Sequence, residues 1–479
     1  MNVQLGSYGL IAPTLAATAW ALLVLVVEMF SARRRSLAVA WLSVIGLAEV
    51  AWLAGRRWEL TGVFGGALAI DGLTVFFAVL VCTLAAVAVF MAIDYLPQTD
   101  VRGGEYYPML MFAVVGALVM VSATDLIVMF LGLETMSMAV YVLAGIWKRD
   151  PRSNEAALKY FLMGAFASGF MLYGIALLYA HAGSTVIGKV AASFAGGPAP
   201  LAVIGAGLLL VGFGFKVAAV PFHLWTPDVY EGAPTSVTAF MATVVKAGAF
   251  SAVVRVVVLG LAPHLSLLSG ILWVAAVATM SIGNFVALRQ TSLKRLLAYS
   301  AIAHTGYLLV GLTPGTREGA AAVLYYLAAY GAMNLGAFGV MMLVARRENG
   351  AERIRDYAGL SERSPVLALT MTVFLLSLTG IPPLAGFVGK LYLFTAALDA
   401  GYVVLVVIAV LNSVVSAAYY LGVVRTMYFE DGEAATAQPR PYLGVATAAA
   451  LLATVWLGLA PSGVIEAATT AVGRVMLGS

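Results

Sequence analysis

The chain has 479 residues, of which 62% are apolar and only 10% are charged, and its mean hydropathy is +0.97. So few charges cannot cover the surface of a soluble protein of this length, and the long apolar runs predict an all-α integral membrane protein. A single cysteine, Cys82, excludes a disulfide framework, a thiolate zinc site and a cysteine-ligated iron–sulfur cluster in this chain, and the net charge of +4 gives no indication of nucleic acid.

The apolar runs predict about fourteen spans. In chain order they are Ile11–Phe30, Leu37–Leu53, Leu73–Tyr95, Tyr107–Ser122, Leu126–Trp147, Ala156–Ala180, Leu201–Leu224, Thr235–Leu261, Leu267–Leu288, Leu296–Leu312, Ala320–Ala345, Val366–Leu398, Tyr402–Phe429 and Leu443–Leu459. The twelfth run exceeds the roughly 20 residues that one crossing needs and contains Pro382-Pro383, so we interpret it as one broken helix.

The placement of lysine and arginine supports this count. Of the 27 basic residues, 17 lie in loops that follow odd-numbered spans, 5 lie on the opposite face and 5 lie within spans. Because cytoplasmic loops are enriched in basic residues, both termini are expected to face away from the cytoplasm. The start of the chain has no basic segment followed by a small-residue cleavage site, so we expect no removable signal peptide.

Five ionisable residues lie eight or more positions from both ends of their spans: Glu134, Lys216, Lys246, His304 and Lys390. Eight residues correspond to roughly 12 Å of helix rise, which places these groups near the midplane. A charge at that depth costs at least roughly 2.5 kcal/mol, so five of them indicate a function. A lysine whose protonation depends on burial and on a nearby carboxylate is suited to a proton relay.

Structural interpretations compete with this hypothesis. Glu134, Lys216 and Lys246 could serve only to hold helices together, and His304 could be a core histidine hydrogen-bonded to Ser300. Lys159 and Arg255 lie near span ends, where long side chains extend to the interface.

Two of the spans combine a lysine with a helix-breaking proline. Pro221 cannot donate a hydrogen bond to the carbonyl of Val217, next to Lys216, and Pro382-Pro383 precedes Lys390. Freed carbonyls at membrane depth are tolerated where they line an enclosed wet cavity, and discontinuous helices near the midplane are typical of transporters. The pattern predicts two related half-units, although the lysines lie on opposite sides of their prolines.

Four strings taken together, in this order and spacing, resemble the antiporter-like membrane subunits of respiratory complex I: "FKVAAVPFHLWTPDVYEGAPTSVTAF", "VVKAGAF", "KRLLAYSAIAHTGY" and "GIPPLAGFVGKLYLF". The segment "PDVYEGAPT", the lysine at position 390 and the short stretch after Leu459 most resemble the subunit N branch of bacterial NADH–quinone oxidoreductase. The similarity extends from Tyr107 to Phe429.

The resemblance implies roles for individual residues. Glu134 on the fifth helix and Lys216 on the broken seventh helix would form a coupled pair, Lys246 would continue the path, and Lys390 on the broken twelfth helix would lead outward. His304 falls at a position that relatives often fill with a polar relay residue. The segment "LKYFLMGAFASG" adds Lys159 to the candidate site residues.

The resemblance also implies organisation and partners. The expected units are 1–106 (helices 1–3), 107–261 and 267–429 (two inverted antiporter-like halves), and 430–479 (helix 14 and tail). The expected function is proton translocation in a redox-driven NADH:quinone oxidoreductase of the bacterial inner membrane. No cofactor or metal is expected in this chain; FMN, iron–sulfur clusters and quinone would belong to partner subunits, and further membrane subunits would flank it in the lipid bilayer.

Three alternatives remain open from the sequence. The chain could belong to a multi-subunit sodium/proton antiporter, although its deep lysines suit direct sodium binding poorly. It could be a stand-alone transporter of an organic solute, or a structural membrane subunit whose charges only pack helices.

Overall fold

The computed structural model describes residues 8–31, 37–99, 104–197, 199–261, 267–344, 352–432 and 440–475. Six basic residues that contribute to the predicted topology lie outside the described residues: Arg33, Arg34, Arg35, Arg102, Arg346 and Arg347.

Helices account for most of the described chain, as its apolar composition predicts. In chain order the α-helices are α1 (Ala12–Phe30), α2 (Leu37–Gly55), α3 (Gly72–Tyr95), α4 (Tyr106–Ser122), α5 (Leu126–Ala144), α6 (Pro151–Ala182), α7 (Ile187–Ala192), α8 (Pro200–Val217), α9 (Trp225–Gly232), α10 (Thr235–Phe240), α11 (Lys246–Ala252), α12 (Leu267–Ala287), α13 (Leu293–Leu312), α14 (Arg317–Val344), α15 (Leu360–Arg363), α16 (Pro365–Thr379), α17 (Ala385–Asp399), α18 (Val403–Phe429), α19 (Pro441–Leu459) and α20 (Ser462–Gly473). Two π-helical turns, Met241–Val245 and Val253–Leu261, flank α11 and continue the helix that begins with α10.

Eleven helical runs in the described residues are long and apolar enough to cross a membrane. The other predicted spans correspond to α4 and α16, which are shorter apolar helices, and to α13, which carries Lys294, Arg295 and His304. The multi-pass, all-helical architecture is therefore confirmed. The count of fourteen crossings stays a prediction.

The helices differ in how deeply they lie in the bundle. The run Thr235–Val257, which contains α10 and α11, is wholly buried, and α14 is almost as enclosed. By contrast only 22% of α1 is buried. The central helices carry Lys246 and Tyr330, so these side chains are shielded from the surrounding membrane on all sides.

Two helices stop at the predicted proline positions. Helix α8 ends at Val217, where Ala218 adopts a left-handed conformation with φ of 61°, and α9 begins at Trp225. Helix α16 ends at Thr379, before Gly380 with φ of 93°, and α17 begins at Ala385. Each interruption contains a cis peptide bond, Val220-Pro221 in the first and Pro382-Pro383 in the second.

A short hairpin precedes α3. Strand β1 (Gly62–Phe64) pairs antiparallel with β2 (Leu68–Ile70). Asp71 follows β2 and caps α3, because its side chain accepts a hydrogen bond of 2.8 Å from the backbone N–H of Thr74. The hairpin thus positions the residue that caps α3.

Candidate functional site

Lys216 is buried in the last turn of α8, where three helices meet. Its ammonium donates hydrogen bonds to Ser137 Oγ on α5 at 2.8 Å and to Tyr160 OH on α6 at 3.1 Å. The ring of Tyr160 also lies 5.2 Å from Nζ, within the range of a cation–π interaction. The charge is therefore held by neutral hydroxyls and an aromatic face.

Glu134 lies one turn before Ser137 on α5 and is half-buried. Its Oε1 accepts a short hydrogen bond of 2.5 Å from Ser168 Oγ on α6. Among the described residues Glu134 does not approach Lys216 within the 4.0 Å of an ion pair, so the predicted pair is not in direct contact. Charges farther apart than an ion pair still interact in the low-dielectric interior of the bundle, so a charge on Glu134 acts on Lys216 across this gap.

A small cavity lies between Lys216 and Ser168, the hydrogen-bond partner of Glu134. Its walls include Ser137, Ser168 and Lys216, that is, the hydrogen-bond partners of both charged residues. The cavity volume is about 10 Å³, close to the lower limit for one water molecule. A single water there could connect Ser168, next to Glu134, with the ammonium.

Helix α5 can bring Glu134 and Ser137 into this position because it packs closely on α4. A Cβ added at Gly132 would lie 2.6 Å from the backbone nitrogen of Met120. Only glycine permits that approach, so the spacing of the two helices depends on it.

Lys246 begins α11 at the centre of the bundle and is buried. Its ammonium donates to the carbonyl of Ala301 at 2.6 Å and to Thr305 Oγ1 at 2.9 Å. Thr305 in turn donates to the carbonyl of Val217 at 2.7 Å. This is the carbonyl that Pro221 was predicted to free, and it connects the surroundings of Lys246 with the residue next to Lys216.

His304 is on α13, next in the chain to Thr305, which binds Lys246. Its ring lies among tyrosines. Its Nδ1 is 2.6 Å from Tyr326 OH and its Nε2 is 3.3 Å from Tyr420 OH. Ser300 forms a hydrogen bond with Tyr420 rather than with His304, so the direct histidine–serine contact considered from the sequence is replaced by one through a tyrosine. All four side chains are buried.

Lys390 is buried in the second turn of α17, beside the end of α16. Its ammonium donates to the carbonyls of Leu378 at 3.1 Å and Thr379 at 2.8 Å, and to Ser413 Oγ at 2.7 Å. The two carbonyls close a helix C-terminus, where the helix dipole attracts a cation. Nζ also lies 4.6 Å from the ring centroid of Tyr307.

Sequence reasoning missed the amide network that orients Tyr307. The Asn284 amide donates to Tyr307 OH at 3.0 Å and to Asn412 Oδ1 at 3.2 Å, and it accepts from Tyr419 OH at 3.0 Å. These residues come from α12, α13 and α18. Neutral side chains that are distant in the chain give no pattern that would reveal such a network.

Lys159 stands apart from the deep lysines. Its side chain is 42% exposed and pairs with Glu155 at 2.7 Å and Asp228 at 2.8 Å. Asp228 and Glu231 are each 2.8 Å from Arg295, on α13. Lys159, Glu155, Asp228 and Glu231 line an open pocket of about 340 Å³. Lys159 therefore belongs to a charged surface pocket.

Arg255 does not extend to the interface, as its position near a span end had suggested. Its guanidinium and the Asp71 carboxylate form a fully buried bidentate pair, at 2.7 and 3.0 Å. Arg255 Nη2 also donates to Thr74 Oγ1 and to the carbonyl of Val121. The hairpin places Asp71 at the start of α3, and the ion pair joins this point to the second π-helical turn, which contains Arg255.

The deep sites share one property. Among the described residues, no carboxylate lies within 4.0 Å of Lys216, Lys246 or Lys390. The described part of the chain also contains no group of three or more His, Cys, Asp or Glu side chains that could hold a metal ion. The arrangement is a row of basic groups surrounded by hydroxyls, carbonyls and aromatic faces.

Comparisons with known proteins agree with this arrangement. A family model described as NADH:quinone oxidoreductase/Mrp antiporter, TM matches residues 123–416. NADH-quinone oxidoreductase subunit N of Trichlorobacter lovleyi is 45% identical over 427 residues, 88% of each chain. The corresponding protein of Desulfovibrio desulfuricans is 46% identical over 443 residues, 88% of this chain and 87% of that one.

Solved structures match as well. A chain of respiratory complex I from Thermus thermophilus with bound Aureothin is 35% identical, with a TM-score of 0.83 and coverage of 95% of this chain and 98% of that chain. A chain of the Mrp complex from Dietzia has a TM-score of 0.84 at 22% identity, covering 98% of this chain and 96% of that one, and shows the shared fold alone. The chain belongs to the NADH-quinone oxidoreductase subunit N family of antiporter-like membrane proteins.

Proposed function

We propose that this chain translocates protons as a membrane subunit of a redox-driven NADH:quinone oxidoreductase, through a relay of Glu134, Lys216, Lys246, His304 and Lys390. Family membership assigns the complex and its other membrane subunits as partners. One observation carries the relay: the three deep lysines are buried without a carboxylate within 4.0 Å among the described residues, and polar groups lie between them. Each can exchange a proton without separating an ion pair.

The first part of the relay lies between Glu134 and Lys246. A change of charge or position at Glu134 alters the electric field at Lys216, because the two groups lie in the low-dielectric interior on neighbouring helices. The proton then moves from Lys216 toward Lys246, past Thr305, whose hydroxyl contacts both the Val217 carbonyl and the Lys246 ammonium. We also assign Lys159 to this part of the relay, as a group of the charged pocket at the surface.

The second part lies between Lys246 and Lys390. His304 and its tyrosine partners stand on this side of Lys246, and hydroxyls can both donate and accept hydrogen bonds. Tyr307 then contacts Lys390, the last group of the relay. A membrane potential opposes each exported charge by roughly 2.3 kcal/mol per 100 mV, so partner subunits must drive the step.

The architecture that we propose for this function has fourteen crossings, with the seventh and twelfth helices broken. In it α8 and α9 form one crossing and α16 and α17 another. The residues 107–261 and 267–429 form two inverted halves, residues 1–106 precede them and residues 430–479 complete the bundle. The chain lies in the bacterial inner membrane with both termini facing away from the cytoplasm, because the basic loops lie on the cytoplasmic side.

Electron transfer belongs, in this proposal, to partner subunits that hold FMN, iron–sulfur clusters and quinone. The lone Cys82 is buried within α3 and cannot ligate a cluster by itself. A sodium/proton antiporter subunit is the weaker alternative. The likeness to the Mrp complex shows the fold alone, and hard cations such as sodium need several oxygen ligands, which a lysine does not supply.

The test is Glu134→Gln in the purified complex, reconstituted into proteoliposomes. We expect a lower ratio of protons pumped to electrons transferred, because glutamine keeps the shape of the side chain and removes its charge. Glu318→Gln, at an exposed position in the first turn of α14, is the matched control and should leave the ratio unchanged. A normal ratio for Glu134→Gln would contradict the relay.

A further inference from the structure

An exposed carboxyl group lies within the membrane-spanning part of α2. Glu49 is exposed, and its Oε2 accepts a hydrogen bond of 2.8 Å from Trp20 Nε1 on α1. The Trp20 ring rests against Gly46, where an added Cβ would lie 2.6 Å from the ring atom Cγ. The bare backbone at Gly46 therefore leaves room for the indole, whose N–H points at Glu49, less than one turn away.

The depth of Glu49 can be read from its helix. Helix α2 has 19 residues, so it rises about 28 Å and matches the roughly 30 Å hydrocarbon layer. Glu49 lies three residues from the helix centre, about 5 Å along the axis. Side chains on a helix tilt toward its N-terminus, which here is toward the centre and away from Arg56 at the nearer end. Glu49 thus points into the apolar layer.

Lipid does not stabilise the Glu49 carboxyl group. Hydrocarbon chains offer no hydrogen bond, and an acidic side chain near the bilayer centre costs several kcal/mol unless a partner compensates it. The cationic headgroups of lipids lie at the surface, about 15 Å from the midplane, and cannot reach Glu49. Besides Trp20 of this chain, a side chain of another membrane helix can approach the carboxyl group at this depth.

The surrounding surface is unusually open. Helix α1 has the smallest buried share among the membrane-spanning helices of the described residues. On α2 the exposed side chains Trp41, Ile45, Glu49 and Trp52 follow one another along a single stripe. Tryptophan is enriched among the residues that dominate binding at protein interfaces. The stripe combines aromatic contact area with one acidic group near its middle.

We propose that the α1–α2 face around Glu49 docks a transmembrane helix of another subunit, which presents a lysine or arginine to the Glu49 carboxyl group. Trp20 holds the carboxyl in place through one oxygen, and the incoming basic side chain binds it from the exposed side. The contact requires only that the chain works within a membrane complex, so it stands independently of the relay.

The first experiment is photocrosslinking in the intact purified complex. A benzophenone amino acid replaces Ile45, one turn from Glu49 on the same stripe. We expect a covalent link to another subunit, with mass spectrometry locating it on a helix that carries a lysine or arginine. Adducts with lipid or detergent only, a link to a second copy of this chain, or a link to a helix without a basic residue would overturn the proposal.

The second experiment compares Glu49→Leu, Glu49→Gln and the control Leu452→Ile, at an exposed position on α19. The measured quantity is the share of the chain that stays in the intact complex on native gels as detergent is increased. We expect roughly fivefold lower retention for Glu49→Leu, a smaller loss for Glu49→Gln, which keeps an acceptor, and no change for the control. If Glu49 faced lipid, Glu49→Leu would instead raise retention, since leucine is better solvated by hydrocarbon. Equal or higher retention of Glu49→Leu would therefore overturn the docking site.

Discussion

Lys216 and Lys390 lie at the two helix interruptions, but their surroundings differ. Lys216 precedes its break and is held by two hydroxyls, Ser137 and Tyr160. Lys390 follows its break and is held by two backbone carbonyls and one hydroxyl, Ser413. The two interruptions thus present the same ammonium group to different kinds of acceptor.

The difference matters when the proton leaves. An ammonium has three donors and no acceptor, whereas the neutral amine has a lone pair that must be satisfied. Both hydroxyls at Lys216 can turn and donate to that lone pair. At Lys390 the carbonyls can only accept, so among the described residues Ser413 is the one hydrogen-bond partner whose hydroxyl can donate to the lone pair. The first site tolerates either state of its lysine, while the second depends on a single serine.

The largest effects are expected from removing the lysines themselves. Lys216→Met or Lys390→Met removes the basic group that takes up and releases the proton at its site, so we expect the whole contribution of this chain to the proton-to-electron ratio to be lost. The ratio is measured in proteoliposomes, with Lys189→Met on the exposed surface of α7 as the control. If one of the two variants pumped normally, the sites would not belong to one path.

Substituting the serines tests the comparison itself. Ser413→Ala leaves only carbonyls at Lys390, and we expect roughly a tenfold lower pumping rate per NADH oxidised. Ser137→Ala leaves Tyr160 at Lys216, so the expected decrease is only about threefold. The rates are compared in proteoliposomes of equal redox activity. Equal effects of the two variants would remove the distinction between the two sites.

The smallest effect is expected at Lys159. Its ion pairs with Glu155 and Asp228 are partly exposed, and such pairs contribute at most about 1 kcal/mol. We expect Lys159→Met to change the pumping rate by at most about fivefold, with a difference from the native complex that shrinks in high salt. Complete loss of pumping would place Lys159 with the deep lysines instead.

The charged members of the site could be found from the sequence because a charge within an apolar run is conspicuous. The same holds for the interruptions, since the prolines that cause them stand beside Lys216 and Lys390. Partners such as Thr305 and Ser413 could not be found in this way. They are neutral, they lie on other helices, and their contacts depend on how the helices pack.

Distance from a span end proved a poor guide to burial. Arg255 was expected to reach the interface, yet it is fully buried against Asp71, which no pattern near Arg255 indicates. Glu49 shows the converse, because a short acidic side chain near the centre of α2 is exposed. The span pattern gives position along the membrane normal, whereas orientation around each helix is decided by tertiary packing.

The π-helical turn before Lys246 fixes the direction of that side chain. An α-helix advances about 100° per residue, and a π-helical turn accommodates one extra residue without breaking the helix. The turn Met241–Val245 therefore rotates everything after it, Lys246 included, relative to α10. With one residue fewer the lysine would face a different side of the bundle, away from Ala301 and Thr305. The orientation of the central lysine side chain therefore depends on the extra residue in its own helix.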